Sequence, residues 1–266
     1  MVAGAVGVVG YTRYYEPTWL ELTTRVMPIA GLPQSLVGKR LVQLSDIHVG
    51  PQVDDAYVGD TFARVRALDP HIVVYTGDLT SLHDGLYEHA ALVYREMPRG
   101  SLGTFVSLGN HDYGRNWAHK EDAARMADVM RAQGATVLVN EMAEVDGLAI
   151  VGLGDLWGDD FAPERAFANL APKAPAIALS HNPDTVDMHG WQPFTGWILA
   201  GHTHGGQCKP PFLPPPMLPV KNRRYTAGAF ALSAGRQLYI SRGVGTVLPV
   251  RFNVRPEVTV FQLTAA

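Results

Sequence analysis

Seven side chains in this 266-residue chain stand in a pattern that suits the binding of cations. Asp46 and His48 lie in "DIH", Asp78 in "GD", Asn110 in "GNHD", His181 in "HNPD", and His202 with His204 in "GHTHGG". In an extended chain residues i and i+2 point to the same side, so Asp46 aims with His48 and His202 with His204. Imidazole is the commonest protein ligand for metals, and the glycines around these residues let the backbone turn and come close to a bound group. One ion with about four to six ligands cannot use all seven, so two ions fit better, with Asp78 the natural bridging carboxylate. The mixture of oxygen and imidazole, without thiolate, suits divalent Mn, Fe, Zn or Co rather than the all-oxygen sites of Mg or Ca. Two ions about 3.5–4 Å apart polarise a bound group and lower the pKa of a shared water to near 7, which gives a nucleophilic hydroxide at neutral pH.

The elements that position these residues are legible as apolar runs. Residues 39–45, 71–76, 103–108, 176–180 and 196–200 read as buried strands bounded by Gly, Pro, Asn or Asp. Each ends in one of the motifs, the end where open α/β sheets place ligands. Helical spacing recurs at 54–69, 88–97 and 120–134, the last closing at Gly134. Residues 135–155 read as strands joined by a turn at Asp146-Gly147, and 236–243 and 256–263 alternate as strands do. The expectation is an α/β fold in which a mixed sheet faces a second sheet with helices outside. Residues 11–38, with Pro17, Pro28 and Pro33, read as irregular, and the prolines of 208–225 make that stretch a long loop.

Taken together, Asp46-x-His48, Gly77-Asp78, Gly109-Asn110-His111-Asp112, His181 and Gly201-His202-x-His204 resemble the calcineurin-like metallophosphoesterase superfamily over about residues 39 to 263. "YEPTWLELTTR", "SDIHVG", "GHTHGGQ" and the closing "YISRGVGT…RPEVTVFQL" are similar to its YkuE/YaeI-like branch, related to UDP-2,3-diacylglucosamine pyrophosphatases. The resemblance implies a four-layer α/β/β/α sandwich: residues 1–38 precede a metallophosphoesterase domain at 39–266. It implies a first metal on Asp46, His48, Asp78 and His204, and a second on Asp78, Asn110, His181 and His202. A metal-bridging hydroxide would attack phosphorus in line, His111 would act as general acid or stabiliser of the leaving group, and Asp112 would help fix its loop. One departure stands out. Many members read "GDxxDRG" where this chain has "GDLTSLHDG", so Ser81 replaces the Asp that usually orients the acid histidine; Asp84 and Asp112 are candidate substitutes. The missing arginine leaves Arg115, Arg242 and Arg251 as candidates for holding phosphate, each with a surface or structural role as the commoner fate.

Composition limits the alternatives. A hydrophobic fraction of 47% allows a sizeable core, and a net charge of −3 gives no basic excess, so nucleic acid is not an expected partner. A nuclease of the same superfamily and a non-catalytic scaffold remain as competing readings; the scaffold should have lost ligands, and none is missing. "MVAGAVGVVG" is apolar but shorter than the about 20 residues of a spanning helix and has no basic region before it. It reads as the remnant of a membrane or export segment or as a frayed terminus. A membrane-associated or exported location is the first expectation, a soluble cytoplasmic one the alternative. Phe212, Leu213, Met217 and Leu218 followed by Lys221, Arg223 and Arg224 suggest a loop that borders the substrate entrance and favours lipid-like phosphoesters at a membrane surface. The sequence does not specify an oligomeric state. Cys208 reads as a buried inert thiol, and Trp157, Trp191 and Trp197 as core. His71, His83, His89, His119 and His189 lack paired spacing and read as surface or helix-end residues.

Overall fold

The computed structural model describes residues 7–81 and 86–266. His83 and Asp84 lie outside the described residues. Two six-stranded sheets stack face to face. The first has the order β1 (Glu21–Ile29), β12 (Glu257–Ala265), β2 (Arg40–Leu44), β3 (Ile72–Thr76), β4 (Gly103–Ser107), β5 (Thr136–Val137). The second runs β10 (Gly228–Ala231), β11 (Gln237–Ile240), β9 (Trp197–Ala200), β8 (Ala176–Leu179), β7 (Leu148–Gly152), β6 (Glu141–Val145). Both sheets are mixed: β2, β3 and β4 are parallel, as are β7, β8 and β9, whereas β12 meets β2 and β6 meets β7 antiparallel. Parallel strands inside a sandwich are covered on both faces, which is why β3 and β8 are continuous apolar runs rather than alternating ones.

Three apolar clusters hold the layers. Leu41, Val74 and Phe105 of the first sheet meet Ile150, Leu179 and Leu199 of the second. The outer face of the first sheet packs Val42, Val73 and Val106 against α1 (Asp55–Arg66), α2 (Tyr87–Tyr94) and α3 (Lys120–Ala132), with Phe62 and Met126 as buried contributors. The outer face of the second sheet is covered more thinly, by α4 (Pro163–Ala166) and turns carrying Phe167, Trp191 and Phe194. The expected four layers are present, with the fourth reduced to one helical turn and loops. Asp54 caps α1 by accepting from the Ala56 N–H at 2.8 Å, and Gly134, at φ 82°, lets the chain leave α3.

The expectation for residues 11–38 needs correction. Residues 21–29 form β1, paired in parallel with β12 along its whole length. The strand escapes a sequence reading because it is the sheet edge: only Met27 and Ile29 are buried, and Pro28 is tolerated where no further strand needs its N–H. The "DG" turn is as expected, with Asp146 and Gly147 both at positive φ between β6 and β7.

Candidate metal centre

All seven expected ligand residues converge at the carboxyl ends of the strands. Asp46 and His48 follow β2, Asp78 follows β3 and Asn110 follows β4; His181 follows β8, and His202 and His204 follow β9. All are buried. Five of them, Asp46, His48, Asp78, His202 and His204, hold φ between 49° and 69°. That left-handed conformation is uncommon outside glycine and costs on the order of 1–3 kcal/mol per residue. It persists because the surroundings fix it: the Asp46 N–H donates to Gly77 O and the His48 N–H to Asp78 O, each at 3.0 Å, while Asp46 Oδ1 accepts the His202 N–H at 3.0 Å.

Two glycines of the motifs are required by close approach. A Cβ on Gly77 would lie 2.6 Å from His181 Nδ1, and one on Gly109 would lie 2.3 Å from Asp78 Oδ1. The loops of the two sheets therefore pass closer here than any side chain allows.

The ligand atoms fall into two groups, Asp46 with His48 and His204, and Asp78 with His181 and His202; within each they lie within 4.8 Å of one another. Asp78 Oδ2 stands between the groups, 3.6 Å from His48 Nε2 and 3.1 Å from His181 Nε2. His48 Nε2 is 3.0 Å from His204 Nε2, which is 3.3 Å from Asp46 Oδ1.

The donor set fits cations. Second partners set the tautomers: His181 Nδ1–H donates to Thr76 O at 2.7 Å and His202 Nε2–H to Pro219 O at 2.8 Å, leaving His181 Nε2 and His202 Nδ1 as lone-pair donors. Both polar side-chain atoms of Asn110, and His181 Nε2, are buried without a hydrogen-bond partner. Such orphans are rare in a folded interior and mark a site shaped for a further group. Burial pushes His48 and His202 down to about 3 and His204 well below its usual value, so these imidazoles are neutral, as ligation requires. Burial alone would raise Asp78, but His181, His111 and His48 hold it well below the carboxylate range. His181 is the exception: burial works against its charge, yet Asp78, Asp46 and Asp155 hold its pKa well above the usual value, so a cation would have to displace the Nε2 proton before taking that lone pair.

His111 and Asp112 separate in role. The His111 ring stands edge-on to His48, centroids 4.9 Å apart, with Nδ1 buried and unpartnered. The Asp112 carboxylate is taken up by backbone, accepting from Leu79, Thr80 and Gly109 at 2.9, 3.2 and 2.8 Å. Asp112, expected among the catalytic residues, thus clasps the Asp78 and Asn110 loops together. Ser81 donates to His48 O at 3.2 Å, a backbone bond in place of an acid.

Of the three candidate arginines, Arg115 is exposed, whereas Arg242 is paired with Glu257 and Glu21 at 2.8 and 3.0 Å. Arg251 is fully buried and donates to the carbonyls of Arg242, Gly243, Gly245 and Val254, with Nη2 3.4 Å from His204 Nδ1.

The sequence reading missed Asp155. It lies beyond β7, fully buried, its Oδ1 accepting the Trp157 and Gly158 N–H groups and its Oδ2 unpartnered. The signal was present, since "LAIVGLGD" repeats the apolar run ending in Gly-Asp seen at Asp78. Trp157 is not core: half-buried, it sets its ring edge-on to His202 at 4.4 Å and packs against Trp117, while Trp191 and Trp197 are buried as expected. Cys208 is half-buried rather than enclosed. His71, His89, His119 and His189 stand apart from the centre, half-buried or exposed.

Two sheets in this stacking, with histidines, carboxylates and one amide gathered at their carboxyl ends, define a metallophosphoesterase. Residues 39–206 match the calcineurin-like phosphoesterase family, and the chain belongs to it; it is a metal-dependent phosphoesterase. It is 32% identical to phosphodiesterase YaeI of Escherichia coli over 96% of this chain and 92% of that protein. It is 27% identical to UDP-2,3-diacylglucosamine pyrophosphatase LpxG of Chlamydia trachomatis over 93% and 90% of the two chains. The fold is similar to that of Haemophilus influenzae NAD nucleotidase, with a TM-score of 0.51 at 16% identity over 78% of this chain and 45% of that one.

Proposed function

We propose that this phosphoesterase works with two divalent metal ions and hydrolyses diester or pyrophosphate linkages of amphiphilic substrates. The observation that carries the dinuclear reading is Asp78 Oδ2, which faces His48 of one ligand group and His181 of the other. Asp46, His48 and His204 would hold one ion, Asn110, His181 and His202 the other, and Asp78 both. Bound there, Mn, Zn, Fe or Co would supply Lewis acidity and lower the pKa of water enough to give a nucleophile at neutral pH. Asp112 keeps the Asp78 and Asn110 loops in register. His111, beside the first group with an unspent Nδ1, hydrogen-bonds or protonates the departing oxygen, a contribution of typically 10²–10⁴-fold.

The preference for diesters follows from charge. A monoester carries a second negative charge that an arginine usually balances. Here Arg242 is committed to two carboxylates and Arg251 to carbonyls. The relatives named phosphodiesterase and pyrophosphatase support the same class. Metal analysis of the purified protein, with turnover of bis(p-nitrophenyl) phosphate against p-nitrophenyl phosphate, tests the reading. Two ions per chain and faster diester cleavage are expected; one ion at full activity sinks the dinuclear reading, and a monoester preference sinks the substrate class.

A further inference from the structure

Large apolar side chains exposed to solvent are not spread evenly over this molecule. Of the sixteen among the described residues, eleven come from three segments: six from residues 7–19, three from 207–226 and two from 244–253. Singly scattered exposed apolar residues need no explanation, whereas a contiguous patch marks a contact surface. The three segments are contiguous. Arg251 N–H donates to Thr12 O at 2.9 Å, Gln207 Nε2 to Leu248 O at 2.7 Å, and Lys209 N–H to Phe252 O at 2.9 Å. The Glu16 carboxylate accepts the N–H groups of Asn253 and Val254, tying the first segment to the third.

Charge says what the patch faces. The segments contain the exposed cations Arg13, Lys209, Lys221, Arg223 and Arg224. Their single acid is Glu16, which is buried and spent on those backbone bonds. Apolar and aromatic side chains mixed with cations, and no exposed carboxylate, complement an anionic lipid surface: rings and aliphatic chains enter the acyl boundary while guanidinium and ammonium groups stay among the head groups.

The same surface adjoins the metal centre. The middle segment begins three residues after His204, and its Pro219 carbonyl accepts from the His202 imidazole. Beyond Pro219 the segment is pinned, Asp184 accepting the N–H groups of Lys221 and Asn222, with Tyr225 bonded to Asp187. Phe212 at its tip is fully exposed and borders a hollow of about 480 Å³ together with Lys209, Leu213 and Pro215.

We infer that residues 7–19, 207–226 and 244–253 form one docking surface that seats the enzyme on an anionic bilayer, with the metal centre at its margin. This rests on the amphiphilic substrate reading and names the surface that serves it. The test uses the full chain and sedimentation with phosphatidylcholine vesicles, with and without phosphatidylglycerol. Binding to the anionic vesicles is expected, weakened several-fold by salt. Phe212→Ser with Leu213→Ser should weaken it by about 100-fold, since two apolar side chains no longer leave water. Lys209→Glu with Arg13→Glu should remove the preference for anionic lipid. Turnover of bis(p-nitrophenyl) phosphate should be unchanged in all of them. No binding by the parent chain, equal binding to neutral vesicles, or variants that instead dissociate a dimer in sedimentation equilibrium overturns the inference. Binding without any diester turnover retains the docking surface and rejects the catalytic reading, so the two failures are distinct.

Discussion

Replacing Gly109 by alanine tests how closely the centre is set. The added Cβ would fall 2.3 Å from Asp78 Oδ1, 2.4 Å from Asp78 N and 2.9 Å from His181 Cδ2, whereas ordinary contact begins near 3.4 Å. Neither neighbour is the far end of a flexible chain: Asp78 is held by its own backbone and accepts the His111 N–H at 2.9 Å, and His181 is held to Thr76 O. Asp78 must therefore retreat by about 1 Å, a displacement that costs roughly 100-fold in rate when it misplaces reacting groups, or about 2.7 kcal/mol of barrier. The assay is steady-state cleavage of bis(p-nitrophenyl) phosphate, alongside metal content and a melting curve to establish that the variant is folded. The expected outcome is a folded protein, kcat down about 100-fold and fewer than two ions per chain. A folded variant with two ions and kcat within about fivefold of the parent would show that the position of Asp78 does not limit the reaction, and the reasoning from close approach would fail.

Other substitutions separate the roles. Asp78→Asn should abolish turnover and lower the occupancy of both ions, read by plasma emission on the dialysed protein; loss of a single ion would deny the carboxylate its shared place. His111→Ala should keep both ions while lowering kcat by about 10²–10⁴-fold, most for esters with poor leaving groups; loss of metal instead would make it a ligand. Glu257 gives a pH prediction: burial alone would raise its pKa, but Arg242, Thr23 and Tyr239 hold it below the usual value. Its stabilising contribution is thus present above the ordinary carboxylate pKa and fades as pH falls through the lower folded value. In Glu257→Gln the melting temperature should be lower at neutral pH and the acid-side decline shallower; parallel acid-side curves would refute it.

The site was more legible than the frame that carries it. The candidate ligand residues announced themselves because the requirements are local: a short apolar strand, a glycine where backbones meet, then the donor. Asp155 ends an apolar run in Gly-Asp just as Asp78 does, yet it stands outside both ligand groups. Trp157 was misread because periodicity reports how apolar a stretch is, not which side of a half-buried ring meets His202. Edge strand β1 was invisible for a related reason, since its pairing with β12 joins residues more than two hundred positions apart and leaves most of its side chains in solvent. Nor could sequence show that Asp112 would be consumed by three backbone N–H groups, a fact of how two loops cross.

Each ligand group draws on both sheets: Asp46 and His48 from the first join His204 from the second, and Asp78 from the first joins His181 and His202 from the second. An ion held in either group would therefore be a rivet through the sandwich, fastening two layers that otherwise meet through apolar contact and a few hydrogen bonds such as Gln43 Nε2 to Ala200 O and Trp197 Nε1 to Pro28 O. Ligation and folding are then one equilibrium. At free metal near a thousand times the dissociation constant, a single such ion adds about 4 kcal/mol to the stability of the folded chain. Without the metal, five left-handed residues would rest on their hydrogen bonds alone, such as Asp46 N–H to Gly77 O and His48 N–H to Asp78 O. The carboxyl ends of the strands, rather than the termini, should then be the first part of the molecule to open, seen as early hydrogen exchange at residues 46–48, 78–80 and 202–206 after chelation.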